Sequence, residues 1–286
     1  MKTRLLFVLT ALAIATPSFA QLAAPNATGA ALGHIHINAT DVDAHVRFWT
    51  SVGGQIVQRE KLTMVQIPGV YILLRKQDST GGTNGSVLNH FGIYVKDFAG
   101  ASAKWKAAGV HWEPNKDPKV AQGFLIAPDG VRIEVYGNDA LATPMAMHHI
   151  HLMVADPAAA QKWYGDHFGA AAGKRLAYET ATLPGTEIAL GKADAALVPT
   201  KGRSVDHIGF EVKSIDAFVA KLQAAGIKTD AAIRISTYAS GLRIVFNTDP
   251  TQAFLLDSNS MLSHKLVVAH VFGHSDFFPR NSYFEQ

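Results

Sequence analysis

The sequence has no cysteine in 286 residues. That excludes a disulfide framework, a thiolate nucleophile and any cysteine-bound metal. The fold must stand on its hydrophobic core, and any chemistry must use histidine, carboxylate or hydroxyl groups. An excess of either charge is also missing. The formal net charge is +3, and +3 less the two positive charges of Lys2 and Arg4 leaves +1. Nothing there points to nucleic acid or an anionic membrane as a partner. Beyond the N-terminus no apolar run is long enough to span a bilayer. With 48% hydrophobic and 17% charged residues, the chain reads as globular, with enough length for one large or two small cores.

The single long apolar run opens the chain. "MKTR" is a basic start, "LLFVLTALAIAT" an apolar stretch and "PSFA" a small-residue end. This pattern predicts that residues 1–20 are a secretory signal peptide, cleaved after Ala20, and that the protein is secreted or periplasmic. No membrane contact is expected after cleavage.

What the sequence does have is histidine, 13 of them, and four stand in one recurring phrase. His34 leads to Asp41, His90 to Asp97, His149 to Asp156 and His207 to Ser214. Within each half the phrase recurs after roughly sixty residues, the mark of an internal repeat. Each copy opens with an alternating run that reads as a strand. Asp or Ser then caps a helix that stops at Gly, and three extended segments follow. The fold class expected is therefore α+β: four tandem βαβββ units forming two cupped mixed sheets, with helices on the outer face. Residues 31–138 would hold the first two units as one domain and residues 146–258 the other two. "DSTGGTNGS" reads as a flexible link between the first pair.

Alternate residues of a strand share a face. Ile35 and Ile37, Phe91 and Ile93, Ile150 and Leu152, and Ile208 and Phe210 make apolar faces that must lie under the helices. His34 and His36, His90 and Tyr94, His149 and His151, and His207 and Glu211 fall on the opposite faces. In "APDGVRIEVYG", Arg132, Glu134 and Tyr136 share the polar face of the last strand of unit two. His34, His90 and Glu134 would then offer two imidazoles and a carboxylate to a divalent metal such as Fe, Mn, Zn or Ni. Open positions would remain for a substrate with two neighbouring oxygens. His36 and His151 sit beside the ligand positions, either touching the substrate or simply packing. His36 and Tyr94 are the first candidates for proton transfer. His111 is expected at the surface or the cavity rim. Trp49, Trp105 and Trp163 fall in helical runs and are expected in the core.

On these residues the chain resembles the vicinal oxygen chelate superfamily: glyoxalase I, extradiol dioxygenases, fosfomycin-resistance and bleomycin-binding proteins. The resemblance covers about residues 31–248. It implies paired βαβββ units curled around a cavity, with metal ligands at the first-strand His and the last-strand Glu. It also implies a metal-dependent lyase, isomerase or dioxygenase, or alternatively a protein that sequesters a small molecule without turnover. Its partner would be a small molecule, and it would be a monomer or homodimer. Two positions depart from the family's patterns. Leu73 stands in unit one where Glu134 stands in unit two. Phe124 stands where the dioxygenases carry a tyrosine ten residues before the Glu.

The second half places His149 and His207 at ligand positions as a weaker second site. Its last strand puts Leu256 in the carboxylate position, with Asp257 one residue off and so on the other face. From about Asp249 the chain instead resembles a short stretch of the stage V sporulation protein R family, "AHVFGHSDFF", and residues 259–286 read as a foreign tail. His270 and His274 there would share a helix face.

Overall fold

Strand, helix and three strands follow one another four times along the chain. The first stretch is β1 (Ala30–Ala39), α1 (Val42–Val52), β2 (Gln55–Arg59), β3 (Leu62–Ile67) and β4 (Val70–Lys76). Next come β5 (Leu88–Val95), α2 (Phe98–Ala107), β6 (Trp112–Pro114), β7 (Gln122–Ala127) and β8 (Val131–Gly137). The third holds β9 (Met145–Val154), α3 (Pro157–Phe168), β10 (Ala171–Arg175), β11 (Tyr178–Leu183) and β12 (Thr186–Lys192). The last holds β13 (Val205–Val212), α4 (Ile215–Ala224), β14 (Ile235–Tyr238), β15 (Gly241–Phe246) and β16 (Gln252–Phe254). The structure is a computed structural model, and it describes residues 22–59, 62–227, 235–238, 241–246 and 252–254. The expected signal peptide, Leu256, Asp257, His270 and His274 lie outside the described residues. Among the described residues no helix is long and apolar enough to cross a membrane.

The caps stand where the repeat predicts them. Side chains of Asp41, Asp97 and Asp156 each accept a hydrogen bond from the backbone N–H three residues on, at 3.0 Å. Ser214 Oγ does the same for Ala217 at 3.3 Å. Each cap satisfies one of the N–H groups that a helix start leaves free, a contribution of about 0.5–2 kcal/mol. Gly53 and Gly169 end α1 and α3 in the left-handed region, at φ 97° and 65°, where a Cβ would be strained. In α2 and α4 the glycine comes one residue later, after Ala108 and Ala225.

The apolar faces of β1, β5 and β9 lie in the core, while Ile208 and Phe210 of β13 are only partly buried against it. Ile35, Ile37, Phe91, Ile93 and Ile150 are fully buried. At about 1.5–3 kcal/mol each, they fix the register, since a one-residue slip would turn every one of them outward. Trp49 and Trp105 are buried with them, but Trp163 is not. It is 39% exposed, set on α3 among Tyr164, His167 and Phe168.

The pairing between units decides where the site can form. One sheet runs β13-β1-β4-β3-β2 and the other β10-β11-β12-β9-β5-β8-β7-β6, while β14, β15 and β16 form a third. First strands pair antiparallel with first strands: β1 with β13, and β5 with β9. Unit one thus joins unit four, and unit two joins unit three. The link between units one and two is not free, as its composition predicts, but pinned. Arg203 donates to the carbonyls of Gly82 at 2.9 Å and Asn84 at 3.0 Å. Thr83 and Ser86 are buried.

Candidate metal centre

Pairing β5 with β9 sets Gly92 opposite His149 and His90 opposite His151. The parallel β5–β8 register sets Glu134 beside Gly92. Three donor atoms converge there. His90 Nε2 and His149 Nε2 lie 3.1 Å and 3.3 Å from Glu134 Oε2, and 3.2 Å from each other. His149 is fully buried, and His90, Glu134 and His151 are nearly so. His151 offers a further ring nitrogen within 4.8 Å of those of His90 and His149.

Each ligand candidate is held from behind. Glu134 Oε1 accepts hydrogen bonds from Gln122 Nε2 at 2.6 Å and from the Tyr136 hydroxyl at 3.0 Å. His90 Nδ1 lies 2.8 Å from Asn89 Oδ1, and His149 Nδ1 lies 3.1 Å from His148 Nδ1. The Phe124 ring meets His90 edge-on, with centroids 5.3 Å apart, and carries the Arg132 guanidinium 4.1 Å from its centroid. Gly92 gives the His149 ring its room: a Cβ there would come closer than 3.0 Å to the imidazole.

The electrostatics favour neutral His148, His149 and His151 around a charged carboxylate. Burial, with the neighbouring His90 and His149, pulls His151 from 6.5 to about 3. Burial, with His149 and Arg175, pulls His148 to about 3. Burial lowers His149 too, against the pull of Glu134. Burial alone would raise the Glu134 carboxyl. The hydrogen bonds of His149 and His90 outweigh it and hold the group well below the usual carboxylate range. Burial and the Glu134 charge push Tyr136 up to about 12.

This donor set fits a divalent cation. Metal bonds of about 2.0–2.2 Å to nitrogen and oxygen place neighbouring ligand atoms about 3–3.5 Å apart, and all three separations fall in that range. Metal ligation needs neutral imidazole and ionised carboxylate, the forms favoured at His149 by burial and at Glu134 by its hydrogen bonds. A second ring nitrogen with an amide oxygen behind it, as at His90, and a carboxylate held by two donors are what orients ligands at such sites.

The ligand sets expected from sequence are regrouped. His90 and Glu134 do stand together, but their second imidazole is His149, not His34. His34 is on the other sheet, its Nε2 3.5 Å from that of His207. His36 stacks on His207 there, with centroids 4.6 Å apart. The pair His149 and His207 is likewise split between the two sheets. The physical cause is the pairing of unit two with unit three, which alternation along a strand does not specify. Tyr94 is on the β5 side, its ring 4.1 Å from His148; His36, the other proton-transfer candidate, is not. Leu73 does face His36 across the parallel β1–β4 pair, and it is buried. By the same register, Ala189 beside His151 stands in unit three where Glu134 stands in unit two. His111 is at the surface, with its side chain 65% exposed.

Sequence reasoning missed Gln122 and His148, the groups behind Glu134 and His149. Tyr136 was visible as a face-mate of Glu134. A faint signal existed for the glycines, since "HFGIYV" and "HIGFEV" both place Gly two residues after the His. In the second cluster a Cβ at Gly209 would likewise strike the His34 ring.

Comparison with known proteins agrees with this architecture. Residues 146–253 match the family described as Glyoxalase/Bleomycin resistance protein/Dioxygenase superfamily. Residues 234–286 match SpoVR like protein, so the two matches overlap across β14 to β16. No curated protein matches the chain. Glyoxalase I from Zea mays superposes with a TM-score of 0.55 at 16% identity, over 84% of this chain and 97% of that one. A putative dioxygenase from Bacillus subtilis gives 0.57 at 12% identity, over 80% and 83%. At these identities the likeness is one of fold.

Proposed function

We propose that this chain, which carries the glyoxalase, bleomycin-resistance and dioxygenase fold, is a metalloenzyme acting on a small substrate with two neighbouring oxygens. The observation that carries the reading is the triangle of His90 Nε2, His149 Nε2 and Glu134 Oε2, with sides of 3.1, 3.2 and 3.3 Å. These residues would hold a divalent metal, which when bound supplies Lewis acidity to paired oxygens. Gln122 and Tyr136 keep the Glu134 carboxylate aimed at the site. His151, neutral near pH 7, can accept a proton at a ring nitrogen from a substrate carbon or hydroxyl. Tyr94 and His148 form one wall. Phe124 packs edge-on against His90. Lyase, isomerase and dioxygenase chemistry all fit such a site.

The test is metal content by plasma mass spectrometry on the purified chain, after reconstitution with Zn²⁺, Mn²⁺, Fe²⁺ and Ni²⁺ in turn. We expect a tightly held ion in the wild type and in His34→Ala, and its loss in Glu134→Ala and His149→Ala. A wild type that holds none of the four, or a Glu134→Ala that holds it equally well, refutes the reading.

Ala189 favours a second reading. With no second carboxylate opposite Glu134, the site has one fewer basic group than a pair of matched units could supply. Sequestration of a small molecule without turnover then becomes the alternative. Stoichiometric binding of a co-purifying ligand that is never consumed would support it. We also propose export, on the strength of the N-terminal pattern alone; cell fractionation tests it, and a cytoplasmic full-length product would refute it.

A further inference from the structure

One polar group beside the metal triangle has no task in the scheme above. Arg175 ends β10 and pairs across the hairpin with Tyr178, whose ring meets His151 edge-on at 4.6 Å. Its Nε donates to Glu187 Oε1 at 2.6 Å, which fixes the plane of the guanidinium. Its Nη2 is buried and has no hydrogen-bond partner. Between Arg175 and Tyr178 the chain turns through Leu176, at φ 55° and 88% exposed. A branched apolar residue with positive φ is strained. A large apolar side chain in water adds no stability.

The surroundings of Arg175 are those of the metal centre. Its charge acts on His148, His149 and His151 and on the two tyrosines Tyr94 and Tyr136. It lies beside the Tyr136 hydroxyl, which in turn bonds Glu134. A buried guanidinium N–H left without an acceptor is costly. Glu187 and the Tyr136 hydroxyl answer other N–H groups of the fork, and a guanidinium can serve a further acceptor at the nitrogen left over.

We infer that Arg175 is a substrate-binding residue of this centre, whose free Nη2 takes a carboxylate carried by the substrate beyond its metal-chelating oxygen pair. The substrate class is then an oxygen chelator with a separate acid group, and not a plain diol. Leu176 in the turn and Tyr178 just after it would flank the carbon chain joining the two ends. The inference rests on the metal reading above.

Two probes isolate the effect. Lactate and malate share the α-hydroxycarboxylate that chelates a metal, and malate alone has a second carboxylate. The protein is loaded with Co²⁺, and each probe is titrated by the change in its visible absorption, which reports on the metal and not on turnover. Malate is expected to bind the wild type about 10- to 100-fold more tightly than lactate, the value of one charge-assisted hydrogen bond. Arg175→Met should abolish the preference while Co²⁺ content and lactate affinity stay unchanged. Arg175→Lys, which keeps the charge but loses the fork, should retain only part of it. Equal affinities in the wild type, or a preference that survives Arg175→Met, overturn the inference and leave the metal reading intact. A wild type that takes up no Co²⁺ overturns the metal reading, and the inference falls with it.

Discussion

Gly92→Ala is the sharpest perturbation available, because it adds a single methyl and removes no ligand. Gly92 lies in mid-strand with an ordinary φ, so alanine costs no backbone strain there. The added Cβ would come within 3.0 Å of both Cε1 and Nδ1 of His149. Carbon contacts settle near 3.5–4.0 Å, so the ring must retreat by about 0.5–1 Å or more. Metal bonds tolerate about 0.2 Å. The ring therefore cannot keep its place in a triangle whose sides are 3.1–3.3 Å.

Disturbing only the groups behind a ligand costs about 10–100-fold in metal affinity. Displacing the ligand itself should cost at least the upper end of that range. The stability cost should be that of one overpacked methyl, about 1–3 kcal/mol, so the variant stays folded. Gly209→Ala is the matched control, since its Cβ would strike the His34 ring in the other cluster. The assay is metal affinity by competition with a chromogenic chelator, beside thermal unfolding. Gly92→Ala should lose at least about 100-fold and Gly209→Ala should leave the tight site unchanged. Wild-type affinity in a folded Gly92→Ala protein would refute the placement of His149 as a ligand.

Two further outcomes follow from buried imidazoles. His45 is fully buried on α1, its Nε2 3.1 Å from Asp129 Oδ2 and its Nδ1 without a partner; burial lowers its pKa below 6.5 despite Asp129. A base lowered on folding binds fewer protons folded than unfolded, so its contribution is present above about pH 6.5 and lost as pH falls. His34 and His36, drawn down by burial and by His207 to about 3 and about 4, act in the same sense. Denaturant titrations of the metal-free protein should show stability falling steadily from pH 6.5 to 4, and His45→Leu should flatten that slope; an unchanged slope would refute the role of His45. Asp129 also accepts from the Thr40 backbone N–H at 2.9 Å, tying α1 to the β7–β8 turn. Asp129→Ala should cost about 1–3 kcal/mol in unfolding free energy, and a change below 0.5 kcal/mol would show that the tie is idle.

Much of the fold was legible because it rests on local rules. Ile35, Ile37, Phe91 and Ile93 announce a buried face by alternation alone, and Asp41, Asp97, Asp156 and Ser214 announce helix starts. The ligand types were legible for the same reason: His90 and Glu134 fall on polar faces of their strands, and the structure joins them. The partner of those two was not legible. Four similar first strands can pair in more than one way, and the choice lies in contacts between distant segments, such as Arg203 with Gly82 and Asn84. Alternation alone sets His34 beside His90 and Glu134, and only the β5–β9 pairing brings His149 to them. Arg175 was invisible because a lone arginine at a strand end has no period to mark it. Trp163 shows the limit of composition, since a helical aromatic beside Phe168 reads as core until the neighbouring surface is known.

The two sheets hold the same first-strand histidines but should not bind metal equally. In the second cluster, His34 and His207 face each other at 3.5 Å, and His36 supplies the third imidazole. Leu73 beside His36 matches Ala189 beside His151 in the first cluster, and among the described residues the second cluster consists of three imidazoles with no counterpart of Glu134. His207 is half exposed and its Nδ1 is 2.5 Å from Asp206 Oδ1, a second-layer contact that orients the ring without adding a ligand. A neutral three-imidazole set gives a dication no charge compensation, and water competes for the open side. The second cluster should therefore bind Zn²⁺ at least about 10–100-fold more weakly than the first. Calorimetric titration should resolve two classes of site, the weak one removed by His207→Ala and the tight one by Glu134→Ala. Two sites of equal affinity, or a tight site that survives Glu134→Ala and disappears with His207→Ala, would reverse the assignment and make the exposed histidine cluster the working centre.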